Sequence, residues 1–91
     1  MKLETKVMID GKTISVMDSH FPQVENEEEF ELYAPQKGRA VEDVMNLVYE
    51  QKVSPKNLKS DAVVICYTVE EKYFTTYKVK MGLIGVNAEE I

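Results

Sequence analysis

The sequence predicts an α+β domain in which a small, mostly antiparallel sheet carries one main helix packed on one face. Three observations predict it: a period-two alternation around an early Asp-Gly pair, one helical stripe over residues 39–51, and two apolar or aromatic runs after residue 61. Seventeen of the forty hydrophobic residues are valine or isoleucine, whose β-branched side chains favour sheet. The predicted element order is ββ(β)αββ, and the 91 residues predict one domain over positions 1–91.

The N-terminal residues predict a β-hairpin. Apolar residues alternate with mostly charged ones over residues 3–9, which is the pattern of a strand with one buried face. The dipeptide Asp10-Gly11 follows, and it favours a two-residue type I′ turn because both residue types tolerate a positive φ. Such a turn places Val7 opposite Ile14, so the apolar side chains of the two strands share one face.

The segment over residues 18–34 is acidic, and its local structure has two interpretations. It contains six acidic residues and no lysine or arginine, and residues 18–22 are expected to form a loop. Apolar residues alternate with glutamates at 29–34, which predicts a third strand that ends before Pro35. A short helix beginning at Asn26 is the competing interpretation.

One strong helix is predicted over residues 39–51. Its apolar stripe follows the i, i+3, i+4, i+7 spacing and consists of Val41, Val44, Met45 and Val48. Further along, the pair Ser54-Pro55 offers a capping side chain followed by a proline at the first helical position. This pair predicts a second, single-turn helix that ends near Leu58.

The C-terminal third predicts two more strands. Residues 62–69 are almost continuously apolar, which is typical of a central strand covered on both faces, and residues 73–80 form the returning strand. Residues 81–86 are either the end of that strand or a docked loop. One helix is too narrow to cover a sheet of four or five strands. The remaining cover would come from the N-terminal hairpin folded over as a second layer, or from a second copy in a twofold homodimer.

Composition argues against several function classes. The chain has 11 basic and 16 acidic residues, a net charge of −5, whereas direct nucleic-acid binding requires a cationic surface. A single cysteine excludes an internal disulfide and is typical of a reducing compartment. The sequence has no apolar run of signal-peptide or membrane-span length. We therefore expect a cytoplasmic protein that binds neither nucleic acid nor membrane.

Catalytic signatures are absent from the sequence, so we expect a protein that is not an enzyme and holds no cofactor or metal. It has no phosphate-binding glycine loop with a lysine, no Cys-x-x-Cys and no His-Glu-x-x-His. His20 is interpreted as a loop residue and Cys66 as a core residue, rather than as metal ligands or a nucleophile and its base. Gly82 and Gly85 resemble the backbone-clamping loop of an RNA-binding KH domain in spacing only, because that loop joins two helices.

An acidic cluster is the first candidate binding surface. It consists of Glu25, Glu27, Glu28, Glu29 and Glu31. It is interpreted as a docking surface for a basic protein patch, with a solvated acidic segment as the simpler alternative. Divalent-cation binding is less favoured, because the cluster lacks the glycine and ligand spacing of an EF-hand loop. The lysines at 52, 56 and 59 have the opposite sign, and this charge separation favours self-association or partner encounter.

An aromatic group on the last two strands is the second candidate. It consists of Tyr67, Tyr73, Phe74 and Tyr77. Such residues fill a core or an interface, and they also stack on ligands. In a nucleotide site, Lys78 or Lys80 would meet the phosphate, and Thr75 or Thr76 would donate hydroxyls. Strand alternation places the tyrosines and the lysines on opposite faces, which disfavours this alternative.

Together these features predict a non-catalytic binding or regulatory module that acts through protein–protein contacts. A small acidic inhibitor of a basic, nucleic-acid-binding site on another protein is one form of this function, by analogy of size and charge. The alternative is a non-catalytic oligomer that binds a small molecule or nucleotide at the aromatic C-terminal hairpin.

Overall fold

A five-stranded antiparallel sheet forms one layer of the protein, and three helices form the other. The computed structural model describes residues 1–17 and 23–91, so the predicted loop at 18–22 lies outside the described residues. The strands are β1 (Leu3–Ile9), β2 (Lys12–Met17), β3 (Val63–Val69), β4 (Tyr73–Gly82) and β5 (Gly85–Glu90), and the helices are α1 (Glu27–Tyr33), α2 (Lys37–Tyr49) and α3 (Pro55–Ser60). The sheet order is β2-β1-β3-β4-β5. The predicted α+β class with an antiparallel sheet is confirmed.

The N-terminal hairpin has the predicted register. Val7 lies opposite Ile14 across the turn, and Asp10 and Gly11 have φ values of 50° and 73°, as a type I′ turn requires. Strand β1 also pairs with β3, so the hairpin lies in the plane of the sheet. The alternative in which it folds over the sheet as a second layer is therefore wrong.

The core lies between the helices and one face of the sheet. Alternate residues of each strand point toward the helices, and the fully buried strand residues include Val7, Ile65, Val69 and Val79. The helix layer contributes the buried side chains of Phe30, Ala40, Val44, Leu47 and Leu58. Removing these apolar side chains from water is the main favourable term in the fold.

The opposite face of β3 is partly screened without a second helix layer. Strand β3 is central, as predicted, but the buried residues of all three helices belong to the cluster on its other face. Cys66 and Thr68 point away from that cluster and are nevertheless buried. The Thr76 hydroxyl of β4 donates a hydrogen bond to the Cys66 Sγ at 3.3 Å, and Lys6 of β1 lies opposite Cys66. Side chains of the neighbouring strands therefore shield Cys66 and Thr68, for which the sequence predicted a separate covering layer.

The predicted third strand at 29–34 is wrong, and the competing interpretation, a short helix that begins at Asn26, is confirmed as α1. Asn26 caps the helix: its side-chain oxygen accepts a hydrogen bond from the Glu29 backbone N–H at 2.9 Å. Three glutamates occupy the first turn, where the positive end of the helix dipole stabilises negative charge. Phe30 is 5% exposed and Leu32 is 73% exposed, so the two residues that would share one strand face have different environments.

The remaining elements match their predicted positions closely, with one addition. Helix α2 begins and ends two residues before the predicted bounds of 39–51, and Met45 of the predicted stripe is exposed. Ser54 caps α3 as predicted, through its hydroxyl and the Lys56 backbone N–H, although α3 continues to Ser60. The tail continues β4 to Gly82 and then returns as β5, a fifth strand that the sequence did not predict.

Candidate protein-binding groove

A groove of about 440 Å³ lies between α1 and the outer strands of the sheet. Its main lining residues are Glu27 and Glu31 of α1, Tyr73, Phe74 and Tyr77 of β4, and Glu90 of β5. We call these six residues the acidic–aromatic groove. It brings together members of both candidate groups, the acidic cluster and the aromatic hairpin, which are about 40 residues apart in the sequence.

Helix α1 is held over β4 by contacts at the floor of the groove. The rings of Phe30 and Tyr73 pack with their centroids 5.9 Å apart. The Tyr77 hydroxyl donates a hydrogen bond to the Pro35 carbonyl oxygen at 3.1 Å, which fixes the chain that leaves α1. Two independent contacts therefore set the position of the helix, and the groove is formed before any ligand binds.

The walls of the groove combine negative charge with aromatic surface. Glu27 and Glu31 are four residues apart, so they share one face of α1, and both are exposed. Phe74 borders the groove but pairs with Thr68, so its 67% exposed side chain lies on the opposite face of the sheet from Tyr73. The Lys72 ammonium lies 5.4 Å from the centroid of the Tyr73 ring, within the range of a cation–π contact. Carboxylates beside aromatic rings are suited to recognition of a cation with an apolar stem, such as a lysine or arginine side chain.

The five glutamates of the predicted acidic surface divide into two groups. Glu27 and Glu31 line the groove, whereas Glu25 and Glu28 are exposed beyond it. Glu29 has a structural role, because its carboxylate accepts a hydrogen bond from the Glu25 backbone N–H at 3.3 Å just before the helix. Only part of the cluster therefore faces the same site as the aromatic residues.

Tyr67 belongs to the core and not to a surface site. Its side chain is fully buried, and its hydroxyl donates a hydrogen bond to Asp43 Oδ2 at 2.7 Å. Asp43 also forms an ion pair with Arg39 at 2.8 Å. Burial raises the pKa of Tyr67 above its usual value, and the hydrogen bond to Asp43 raises it further. Tyr67 therefore joins α2 to the sheet and has no free surface for a ligand.

The groups proposed for a nucleotide site are divided between the two faces of the sheet. Tyr73 and Tyr77 point toward the helices, and Lys78 lies one position on, on the opposite face. Lys78 and Lys80 line a separate depression of about 320 Å³. The aromatic groove is lined by three carboxylates and one lysine, Lys72, so its excess negative charge repels phosphate and disfavours nucleotide binding.

Among the other sequence candidates, Thr75 lines the groove on the same face of β4 as Tyr73. His20 lies outside the described residues. Cys66 is buried on the opposite face of the sheet. Within residues 1–17 and 23–91, no three His, Cys, Asp or Glu side chains are arranged to hold a metal ion. The helices of this part of the chain are all too short or too polar to cross a membrane.

Comparison with protein-family models, curated proteins and solved structures finds no match to this chain. The geometry of the groove is therefore the feature that indicates a function.

Sequence reasoning missed two parts of the groove. Glu90 was not a candidate because β5 was not predicted, although Val86 and Ala88 alternate with polar residues as in a half-buried strand. The helical side was not predicted as part of a site, because 29–34 was assigned to a strand and the helix beginning at Asn26 was only the competing interpretation. The signal that was available is the capping pair Asn26 and Glu29, separated by two residues at a helix start.

Proposed function

We propose that this chain is a non-catalytic binding module that takes a basic segment of a partner protein into the acidic–aromatic groove. The observation that carries the proposal is the meeting of Glu27, Glu31 and Glu90 with Tyr73 and Tyr77 around one preformed cavity. The carboxylates attract a lysine or arginine, and the rings accept its alkyl stem and its charge. A regulatory role follows if the bound segment is a functional basic site of the partner, such as one that otherwise contacts nucleic acid.

Two features support a protein segment over a small molecule. The groove is open and combines exposed carboxylates with the partly exposed ring of Tyr73, as protein interfaces combine polar and aromatic groups. Its three carboxylates outnumber its one lysine, Lys72, so it disfavours an anionic nucleotide. A cationic metabolite is the form of the small-molecule alternative that fits these side chains best.

Binding of an unstructured peptide of alternating arginine and leucine tests the proposal, with a glutamate–leucine peptide of the same length as the control. We expect the basic peptide to bind and to shift backbone amide resonances of α1 and of residues 73–77, and the acidic peptide to have no effect. Glu27→Gln/Glu31→Gln should weaken binding about tenfold, because it removes two carboxylates from the wall.

The matched control is Glu25→Gln/Glu28→Gln, which makes the same change of charge on the same segment outside the groove. It should change affinity by less than about threefold, the effect of a general field. Equal weakening by both pairs would show that net charge attracts the peptide and that the groove has no specific role. Failure of the basic peptide to bind would overturn the proposal.

A further inference from the structure

The tip of the β4–β5 hairpin exposes two adjacent aliphatic side chains. Leu83 and Ile84 form the two-residue connection between paired Gly82 and Gly85, and their exposed fractions are 106% and 96%. No larger values occur among the exposed large hydrophobic residues of the described chain. Two fully exposed aliphatic residues at a hairpin tip contribute nothing to the core, so their contribution must be sought outside the molecule.

The backbone around this tip is fixed in place. Gly85 has φ of 121°, a conformation that a side chain would strain, and a Cβ at Gly82 would collide with the Asn87 amide. The Asn87 amide instead donates a hydrogen bond to the Gly85 carbonyl oxygen at 3.2 Å. Leu83 and Ile84 have no positive φ, so this turn accepts most residue types and does not itself require aliphatic side chains. A turn of fixed shape that exposes two aliphatic side chains is suited to binding.

The end of the molecule that carries this tip is basic. Residues 52–61 and 78–89 contain five lysines, one aspartate and one glutamate, a net charge of +3, and α3 packs against β4. The segment 23–36 at the groove contains five glutamates and no lysine or arginine. The tip and the groove are therefore complementary in charge, and the exposed aliphatic pair at the tip matches the partly exposed ring of Tyr73 in the groove.

These two surfaces cannot meet within one copy. Tyr73 begins β4 at the groove and Gly82 ends it at the tip, and the ten residues of an extended strand span about 30 Å. We propose that the β4–β5 tip of one copy binds in the acidic–aromatic groove of a second copy, head to tail. This inference uses the groove of the proposed function and names a second copy as its occupant. The contact is heterologous, so each copy keeps one free tip and one free groove and further copies add in series.

Sedimentation velocity of the full chain over about 10 µM to about 1 mM tests this inference. We expect the mean sedimentation coefficient to rise with concentration. The variant Leu83→Ser/Ile84→Asn introduces turn-forming residues and leaves the net charge unchanged. It should raise the half-association concentration at least tenfold. Glu27→Gln/Glu31→Gln should have a similar effect, whereas Glu25→Gln/Glu28→Gln should leave that concentration within about threefold of its original value.

Mixing the two defective variants gives the decisive result. The tip variant retains an intact groove and the groove variant retains an intact tip, so their mixture should form a 1:1 complex that does not grow further. A contact between two tips, or between two sheet faces in a twofold dimer, would not be restored by mixing. A chain that stays monomeric over the whole concentration range, or that associates without any effect of the tip variant, would overturn the inference.

Peptide binding separates this inference from the proposed function. At concentrations where the chain is monomeric, the tip variant should bind the arginine–leucine peptide as well as the native chain does. Peptide binding without self-association would overturn only the head-to-tail contact. Self-association that depends on both tip and groove, without any peptide binding, would support the contact and overturn the proposed function.

Discussion

The protein contains two hairpins of the same connection length with opposite tips. The β1–β2 turn consists of Asp10 and Gly11, both at positive φ, and both are polar or small and exposed. The β4–β5 turn consists of Leu83 and Ile84, which are exposed but aliphatic. In the first hairpin, local preference and exposure agree, so the turn needs no role beyond closing the sheet. In the second, two aliphatic side chains are fully exposed, and this exposure marks the surface that we assign to binding.

The largest effect on stability should come from shortening a valine in each of the two hairpins. Val7 of β1 is fully buried between β2 and β3, whereas Val86 of β5 is partly exposed at the sheet edge. Val7→Ala should lower the free energy of unfolding by about 2–3 kcal/mol through lost burial and a residual cavity. Val86→Ala should lower it by less than about 1 kcal/mol. Urea denaturation measures both, and equal losses would show that β5 is as deeply integrated as β1.

The glycines of the two turns should give the next largest effects. Gly85→Ala should cost about 2 kcal/mol, because φ of 121° lies outside the left-handed helical region that alanine tolerates at lower energy. Gly11→Ala should cost about 1 kcal/mol, because φ of 73° lies in that region and the Cβ would meet open space. Thermal denaturation of the two variants shows which one loses more stability. A larger loss of stability in Gly11→Ala would show that the backbone at Gly85 is the less demanding of the two.

The two hairpins also differ in how well the sequence predicted them. The first hairpin was predicted to the residue, because Asp10-Gly11 and the alternation on both sides specify the same register. The second was predicted only as far as β4, because Leu83 and Ile84 carry no turn signal. Helix α1 was predicted only as the competing interpretation for a related reason: Phe30 and Leu32 fit a strand by spacing, and the capping contact of Asn26 outweighs that pattern. Local signals therefore predicted elements where propensity and fold agree.

The groove was beyond sequence reasoning for a different physical reason. Its two walls meet only because Phe30 packs on Tyr73 and Tyr77 donates to Pro35, and these are tertiary contacts between distant segments. The acidic cluster and the aromatic group were both identified, but nothing in either pattern indicates that they face each other. The same limit applies to Tyr67, whose buried hydrogen bond to Asp43 depends on how α2 crosses the sheet.

Exchange of the tip residues should have a smaller effect on folding than either glycine substitution. Leu83→Ser/Ile84→Asn replaces exposed aliphatic residues with turn-forming ones, so the free energy of unfolding should change by less than about 0.5 kcal/mol. Urea denaturation of the monomeric chain measures this. A loss above about 1 kcal/mol would mean that the aliphatic tip contributes to the fold of the monomer, and the contrast between the two hairpins would then disappear.

The smallest effect should come from the ion pair that joins the first hairpin to the β3–β4 turn. The Lys6 Nζ of β1 donates to Glu71 Oε1 at 2.8 Å, and Glu71 is largely exposed, so the contribution to stability is small. The hydrogen bond to Lys6 lowers the pKa of Glu71, and the hydrogen bond to Glu71 raises the pKa of Lys6. In the second hairpin, Lys78 lies opposite Glu89, but the described residues show no ion pair between them.

The pH dependence of this pair has a defined sign at each end. A lowered carboxyl pKa stabilises the fold above the pKa of the unfolded glutamate and ceases to do so as pH falls through the folded value. A raised lysine pKa stabilises the fold below the pKa of the unfolded lysine and ceases to do so as pH rises through the folded value. The difference in Tm between the native chain and Glu71→Gln should therefore be constant between about pH 5 and about pH 10 and shrink outside that window.

Glu70→Gln is the matched control for this pair. It removes the same charge from the neighbouring turn residue, which also has a positive φ and has no ion pair with the described residues. Its difference in Tm from the native chain should be smaller than that of Glu71→Gln at neutral pH, because only Glu71 loses a hydrogen-bonded partner. Added salt should narrow the gap between the two variants, since it screens an exposed pair. Equal behaviour of the two variants at low salt would show that Lys6 does not stabilise the junction between the first hairpin and the β3–β4 turn.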